Sequence, residues 1–563
     1  MQKMMLALTA LLFSSSALAD TLITNTNGIQ VGSSGKLERF TGILIGDDGK
    51  VKRLLHGEML KLRDALVIDA KGRTVLPGLN DAHGHVVESP GGSVGLGLLA
   101  LQLDLVGTAS LAELQSKLKA YAEKNPGTGW VVGRGWNQEL WPTNSLPTAA
   151  DLDAIVSDRP VWLVRVDGHA AVGNSAALKL AGITSETAAP EGGKIDKDAA
   201  GNPTGLFVDN AIRLVSGKIP KPTTEILDRA FMAAQQQLHS FGITATSDMG
   251  TGVNTWETYR RAGEAGRLQM RITAYANDVE VMRALAPNGP TPWQYSDRLR
   301  LVGVKIYADG ALGSRGARLK RPYADKPDSL GLQFHSDDEL RAKADEAASR
   351  GLQVAIHAIG DATSAQAIGV FEDLGSTYGS DRRWRIEHFQ IADPADIPRL
   401  APAGIIASMQ PVHQPSDRLM AEKRLGPGRL SGAYAWQSVL KAGARLAFSS
   451  DYPAESPNPF PGLAAAVSRQ DMSGQPPGGW LPEERVSFER ALAAFTRGAA
   501  YAGFAESKIG SLDEGKWADF IIVDRDVSAV DPQALGRTQV LETWVAGKKV
   551  WSKEPSSGAE RGR

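Results

Sequence analysis

At 563 residues the chain is too long for one simple core, so more than one structural unit is expected. Its 42% apolar and 22% charged content is that of a soluble globular protein, and its 62 basic and 63 acidic side chains leave a net charge of −1, which gives no support to binding of nucleic acid or another polyanion. There is no cysteine, so disulfides and thiolate chemistry are excluded, and any metal site must draw on histidine, carboxylate or a less usual ligand.

In chain order, Lys3 precedes a short apolar run at residues 4–13, and Ala17-Leu18-Ala19 has the small-x-small form of a cleavage site. Residues 1–19 are expected to be a signal peptide. The mature chain would then begin at Asp20 as an exported protein, periplasmic or secreted, with no membrane attachment after cleavage. Residues 20–75 read as short strands separated by turns at Asp47-Asp48-Gly49 and Lys71-Gly72. The far end has a matching look, with a buried-type strand at 518–524 and a hairpin turning at Gly547. One small β-sandwich built from 20–75 and 510–553 is therefore expected, followed by a polar tail at 554–563.

Between these ends strands and helices alternate, which argues for a parallel sheet with crossover helices. Counting from Val75, strands are predicted at 242–248, 269–277, 299–309, 351–359, 384–390, 404–410 and 444–451, eight in all. The fold class is α/β: a (β/α)₈ TIM barrel over residues 76–509. The helical spacing at 111–123 reads as the helix after the first strand. A large insertion, at about 125–222, carries Gly133-Arg134-Gly135-Trp136-Asn137, Trp141-Pro142 and Asp167-Gly168-His169. Trp136 and His169 are expected on a lid or pocket wall, in contact with substrate.

Active sites of such barrels lie at the C-terminal ends of the strands. The first strand runs into His83-Gly84-His85, and side chains two apart on an extended strand point the same way, so both imidazoles can aim at one point. Lys305 sits within the apolar fourth strand, His357 ends the fifth, His388 the sixth and Asp451 the eighth. Singly, each has a plainer reading. A strand-end histidine is a hydrogen-bonded core or rim residue, a lysine snorkels or pairs with an acid, and an aspartate after Ser449-Ser450 caps a helix. Together, at consistent strand ends, they give the ligand count of a metal centre without sulfur. His413, after strand seven, is expected near the mouth in contact with substrate. Asp309 and Arg315 would bind substrate or pair with each other, and His56, His239 and His335 read as structural or exposed.

The set Pro77-Gly78-Leu79-Asn80-Asp81-Ala82-His83-Gly84-His85, Lys305, His357, His388 and Ser450-Asp451-Tyr452-Pro453 resembles the amidohydrolase superfamily. Gly135-Trp136-Asn137-Gln138, Asp167-Gly168-His169-Ala170, the stretch 308–315 and Glu387-His388-Phe389-Gln390 are similar to its long branch that includes N-substituted formamide deformylase. The resemblance covers nearly the whole mature chain. It implies a barrel plus a composite β-sandwich. It also implies one divalent ion on His83, His85 and Asp451, a second on His357 and His388, and Lys305 bridging them as a carbamate. Zinc, as one or two ions, is the default for such ligands.

The implied reaction is hydrolysis of a non-peptide C–N bond in an amide, formamide or cyclic amide, with water activated by the metal and Asp451 as the proton acceptor. The expected partner is a small-molecule substrate, with homo-oligomerisation compatible with the sequence. The competing readings are a same-fold esterase or isomerase and a ligand-binding protein without catalysis.

Overall fold

The computed structural model describes residues 20–60, 64–88, 94–166, 168–379 and 381–553. The leader at 1–19, the tail at 554–563 and Asp167 lie outside the described residues. The chain forms two compact units, one made of residues up to His85 together with those from Gln235 onward, the other of Val86–Ala234.

In the larger unit the two termini share sheets. A four-stranded sheet has the order Val51–Leu55, Gly42–Ile45, Thr21–Thr24, Leu66–Asp69. A six-stranded sheet has the order Lys548–Ser552, Val540–Val545, Phe520–Val523, Thr74–Pro77, Asn27–Val31, Leu37–Phe40. The strand FIIV at 520–523 is buried along its whole length, as its unbroken apolar run requires. Ile23, Ile43 and Ile45 from one sheet meet Val75, Phe520 and Trp544 from the other in one core. The Phe520 and Trp544 rings stack with centroids 5.2 Å apart.

The same unit holds an eight-stranded, nearly closed parallel barrel. Its strands, in spatial and chain order, are Leu79–Gly84, Ile243–Thr251, Arg271–Ala276, Leu299–Tyr307, Gln353–Ala358, Arg385–His388, Ile406–Met409 and Arg445–Phe448. The first and eighth meet just past the eighth strand's end, where the Asp451 N–H donates to the His83 carbonyl at 2.9 Å. Barrel and sandwich are joined by a buried ion pair. The Arg271 guanidinium, at the start of the third strand, donates to both Asp519 oxygens at 2.6 and 2.9 Å.

Two expectations are corrected. The first barrel strand does not begin at Val75. Thr74–Pro77 pairs with Phe520–Val523 and Asn27–Val31 in the sandwich, and the barrel strand starts at Leu79. Gly78 is the crossing point, where an added Cβ would lie 2.2 Å from Thr244 Oγ1. The segment interrupting the barrel is also wider than 125–222. The helix Leu111–Lys124 is no barrel helix; its Leu114 and Leu118 pack with Leu103, Trp136 and Leu163 in the smaller unit's own core. That unit is built on a six-stranded sheet in the order Gly193–Lys197, Pro203–Asp209, Ala170–Gly173, Val161–Arg165, Val131–Trp136, Leu103–Asp104. Among the described residues no helix is long and apolar enough to cross a membrane.

Candidate metal centre

His83 lies at the end of the first barrel strand, fully buried, and both ring nitrogens are engaged. Nδ1 is 2.7 Å from Glu387 Oε2. A carboxylate only accepts, so the proton sits on Nδ1 and Nε2 carries the free lone pair. Glu387 is held in turn by Arg385, whose Nε donates to Oε1 at 2.7 Å and whose Nη2 donates to Oε2 at 3.2 Å. Arg385 also donates to the Ala82 carbonyl, Ser408 Oγ and Tyr275 Oη at 2.6, 3.0 and 2.9 Å, so this buried cation has charge and dipole on every side. Burial raises the Glu387 carboxyl, but Arg385 and the hydrogen bond to His83 outweigh it and hold the group ionised.

Around His83 Nε2 the other candidates gather. Asp451 Oδ1 is 3.4 Å from His83 Nε2 and 3.4 Å from His85 Nε2. Lys305 Nζ is 3.3 Å from His83 Nε2 and 4.6 Å from the centroid of the Tyr307 ring. Burial lowers the Lys305 ammonium to about 8 and, together with the nearby Lys305 charge, the His83 imidazole to about 3. Burial also keeps the His357 and His388 rings neutral. It pushes the Asp451 carboxyl up, but the surrounding histidines more than offset this and it stays ionised.

His388 and His357 stand side by side, ring centroids 4.5 Å apart, and His388 is 4.7 Å from His83. His388 Nδ1 is 2.9 Å from Gln410 Oε1, while Gln410 Nε2 donates to Ser449 Oγ at 2.9 Å. His413 Nε2 lies 3.9 Å from Asp451 Oδ2. Among the described residues, two sets bring potential ligand atoms within 4.8 Å of one another: His83, His85 and Asp451, and His388, His413 and Asp451. The residues fit a metal, because the Nε2 atoms of His83 and His85 converge on Asp451 Oδ1 and both His357 nitrogens beside them are buried without a hydrogen-bond partner.

The backbone is bent to bring these groups together. His388 has φ 75° and Asp451 φ 59°, left-handed conformations uncommon outside glycine, though histidine and aspartate adopt them more readily than most. Asp81 stitches the first and eighth strands, accepting from the His83 N–H at 3.0 Å and from the Ser450 N–H and hydroxyl at 3.1 and 2.6 Å; burial raises its carboxyl to about 7. Gly84 gives room to the Tyr452 ring, whose Cζ would lie 2.2 Å from an added Cβ.

Asp309 lies beside the centre, its Oδ1 3.6 Å from His357 Nε2. It is buried and accepts from the N–H groups of Ile359, Gly360 and Arg318 at 3.0, 2.9 and 3.0 Å, which anchors the loops after the fourth and fifth strands. Burial raises its carboxyl to about 6. It does not pair with Arg315, which forms a bidentate ion pair with Asp325 at 2.9 and 3.1 Å. Trp136 belongs to the core of the smaller unit, its indole N–H donating to the Leu163 carbonyl at 2.9 Å. His169, in the same unit, is exposed, with Nδ1 2.8 Å from Asp209. His239 is buried against the Ile243 carbonyl and His56 is exposed.

Sequence reasoning passed over Arg385, Glu387 and Gln410 as supports of the histidines. Arg385-Ile386-Glu387 carried a signal, since two charges at i and i+2 of an otherwise apolar strand share one face.

The Amidohydrolase family profile matches residues 66–551. The chain belongs to this family. It is 33% identical to the Arabidopsis thaliana protein LONG AFTER FAR-RED 3 over 96% of this chain and 89% of that one. It is 28% identical to N-substituted formamide deformylase of Arthrobacter pascens over 86% and 89% of the two chains. Among solved structures, an uncharacterized metal-dependent hydrolase from Pyrococcus horikoshii OT3 superposes with a TM-score of 0.74 at 29% identity, covering 91% of this chain and 99% of that one. The fold and the buried histidine–aspartate cluster are those of a metal-dependent amidohydrolase.

Proposed function

We propose that the enzyme hydrolyses a non-peptide C–N bond in a small amide, formamide or cyclic amide. The observation that carries this is the meeting of His83 Nε2, His85 Nε2 and Asp451 Oδ1 at 3.4 Å, beside a buried Lys305. His83, His85 and Asp451 would hold one divalent ion, and His388 with His357 a second, zinc suiting imidazole and carboxylate donors. Lys305 would join them as a carbamate, because an ammonium has donors only and cannot ligate. A bound ion supplies a coordinated water with a pKa of ~7 and polarises the carbonyl.

The chain's own residues do the rest. Glu387 and Arg385 fix the His83 tautomer. Asp451 takes a proton from the attacking water as the C–O bond forms and returns it to the leaving nitrogen as the C–N bond breaks. The products are a carboxylic acid and an amine, both on one molecule when the amide is cyclic. The similarity to a formamide deformylase supports formamides as the first substrates to try. Residues 1–19 would direct the chain to the periplasm or beyond.

The test is turnover by the metal-loaded enzyme across formamides, N-acylated amino acids, cyclic amides and esters, with amine release measured. Turnover confined to esters would overturn the C–N reading. Lys305→Ala is expected to lose metal and activity, with short carboxylic acids restoring part of both. Normal metal content and turnover in that variant would remove the bridge.

A further inference from the structure

Two histidines of the centre, His388 and His413, each lean on a glutamine, and the two glutamines are wired in opposite senses. Gln410 turns its carbonyl oxygen to His388 Nδ1 at 2.9 Å, and its amide donates to Ser449 Oγ, whose own proton faces the Met409 carbonyl. His388 therefore carries its proton on Nδ1 and leaves Nε2 bare, the form that ligates a metal.

Gln390 does the reverse. Its Nε2 lies 3.2 Å from Asp417 Oδ2 and 3.1 Å from His413 Nδ1. Asp417 also receives the Tyr434 hydroxyl on the same oxygen at 2.8 Å, and that phenol is buried, which keeps its proton in place. A carboxylate only accepts, so the amide nitrogen of Gln390, not its oxygen, must face Asp417. The same nitrogen then donates its other proton to His413 Nδ1. With Nδ1 accepting, the ring proton is on Nε2. That N–H lies 3.9 Å from Asp451 Oδ2, at the edge of the centre, on a side chain 12% exposed. A nitrogen that bears its proton has no lone pair for a metal, so the three-residue set of His388, His413 and Asp451 is not a complete ion site.

We propose that His413 is a catalytic hydrogen-bond donor and not a metal ligand. Its Nε2–H contacts the substrate carbonyl oxygen and the negative charge that grows there, and Gln390, backed by Asp417 and Tyr434, is the positioning residue that sets the tautomer. No proton is transferred; the hydrogen bond shortens as the oxygen gains charge. The role rests on the hydrolytic reading above.

The experiment uses zinc-loaded enzyme with ring-15N-labelled histidine. The wild-type resonances assigned by their loss in His413→Leu are expected to show the proton on Nε2. His413→Leu should keep the wild-type metal content and lose ~10²–10³-fold in kcat, the usual worth of one such donor. His413→Gln, which retains an N–H, should recover part of the loss. Gln390→Leu should erase the tautomer preference and lower kcat with KM little changed. Metal loss in both His413 variants, a proton on Nδ1 in the wild type, or normal turnover in His413→Leu would each overturn the proposal. A wild type that turns over no amide sinks the hydrolytic reading, and the tautomer signature with metal content then decides the assignment of His413 alone.

Discussion

Two regions of the molecule use buried polar side chains differently. In the smaller unit Asn174 and Arg159 serve the backbone. Asn174 accepts from the Val161 and Ala177 N–H groups and donates to the Val156 and Arg159 carbonyls. Arg159 donates to the carbonyls of Ala122, Asn125 and Gly127. At the barrel's strand ends Asp81 and Asp309 also hold backbone N–H groups, but two chains of buried groups run side chain to side chain, from Arg385 to Glu387 to His83, and from Ser449 to Gln410 to His388. Beside these chains, both His357 nitrogens are buried without a hydrogen-bond partner, Nε2 lying 3.6 Å from Asp309 Oδ1. Buried polarity spent on the backbone holds a fold, whereas buried polarity that runs side chain to side chain and ends at open lone pairs prepares a site for something else.

The largest effect expected from breaking that contrast is at Asp451. Asp451→Asn keeps size and one oxygen but removes the charge. Turnover should fall ~10²–10⁴-fold, the worth of a positioned general base, while much of the metal is retained by the histidines. Amide turnover and metal content measured in parallel check this; full metal with near-normal turnover would assign the base elsewhere.

Trp136 tests the other side. It is fully buried between Leu103, Trp141 and Leu163, so Trp136→Ala should cost ~3–5 kcal/mol of stability, as large-to-small changes of core aromatics do. Urea unfolding reads the loss. A variant of wild-type stability with altered substrate preference would return this residue to the pocket wall expected from the sequence.

A smaller effect belongs to Gln410. Gln410→Leu removes the acceptor for His388 Nδ1–H, and metal affinity should weaken ~10–100-fold, as it does when a supporting partner of a ligating histidine is lost. Metal titration checks it, and unchanged affinity would mean that packing alone orients His388.

The barrel was legible because each strand is an apolar run closing on a polar residue, and the composite sheet because both chain ends carry strands. The crossing at Gly78 was not, since Thr74-Val75-Leu76 reads as one run with the residues from Leu79 to His85. Pairing with Phe520–Val523, far away in sequence, is what divides that run. The helix at 111–124 has the spacing of any amphipathic helix, and nothing in that spacing says which core it joins. In the site, the side chains that gather were legible but not their supports. Alternation along Arg385–His388 puts His388 on the face opposite Glu387, and only the left-handed turn at His388, φ 75°, brings its ring back to the centre. Likewise the meeting of His413 with Asp451 depends on how two separate loops rise from strands seven and eight, which no local pattern encodes.

The smallest expected effect is at His169. Its ring Nδ1 and Asp209 Oδ1 are 2.8 Å apart with side chains 76% and 49% exposed, and exposed pairs contribute ~0–1 kcal/mol. The local backbone does not depend on the pair, because the Asp209 N–H donates to the His169 carbonyl at 2.9 Å and Ala170–Gly173 stays paired with Pro203–Asp209. His169→Ala should therefore leave the melting temperature unchanged. That silence in stability makes the variant a clean probe of function, unlike Trp136→Ala, where unfolding would obscure any change in substrate preference. If the smaller unit is only a folded body, relative rates across the substrate panel stay as in the wild type. If relative rates shift while melting and metal content do not, His169 reaches the substrate, and the smaller unit takes part in recognition as expected from its sequence.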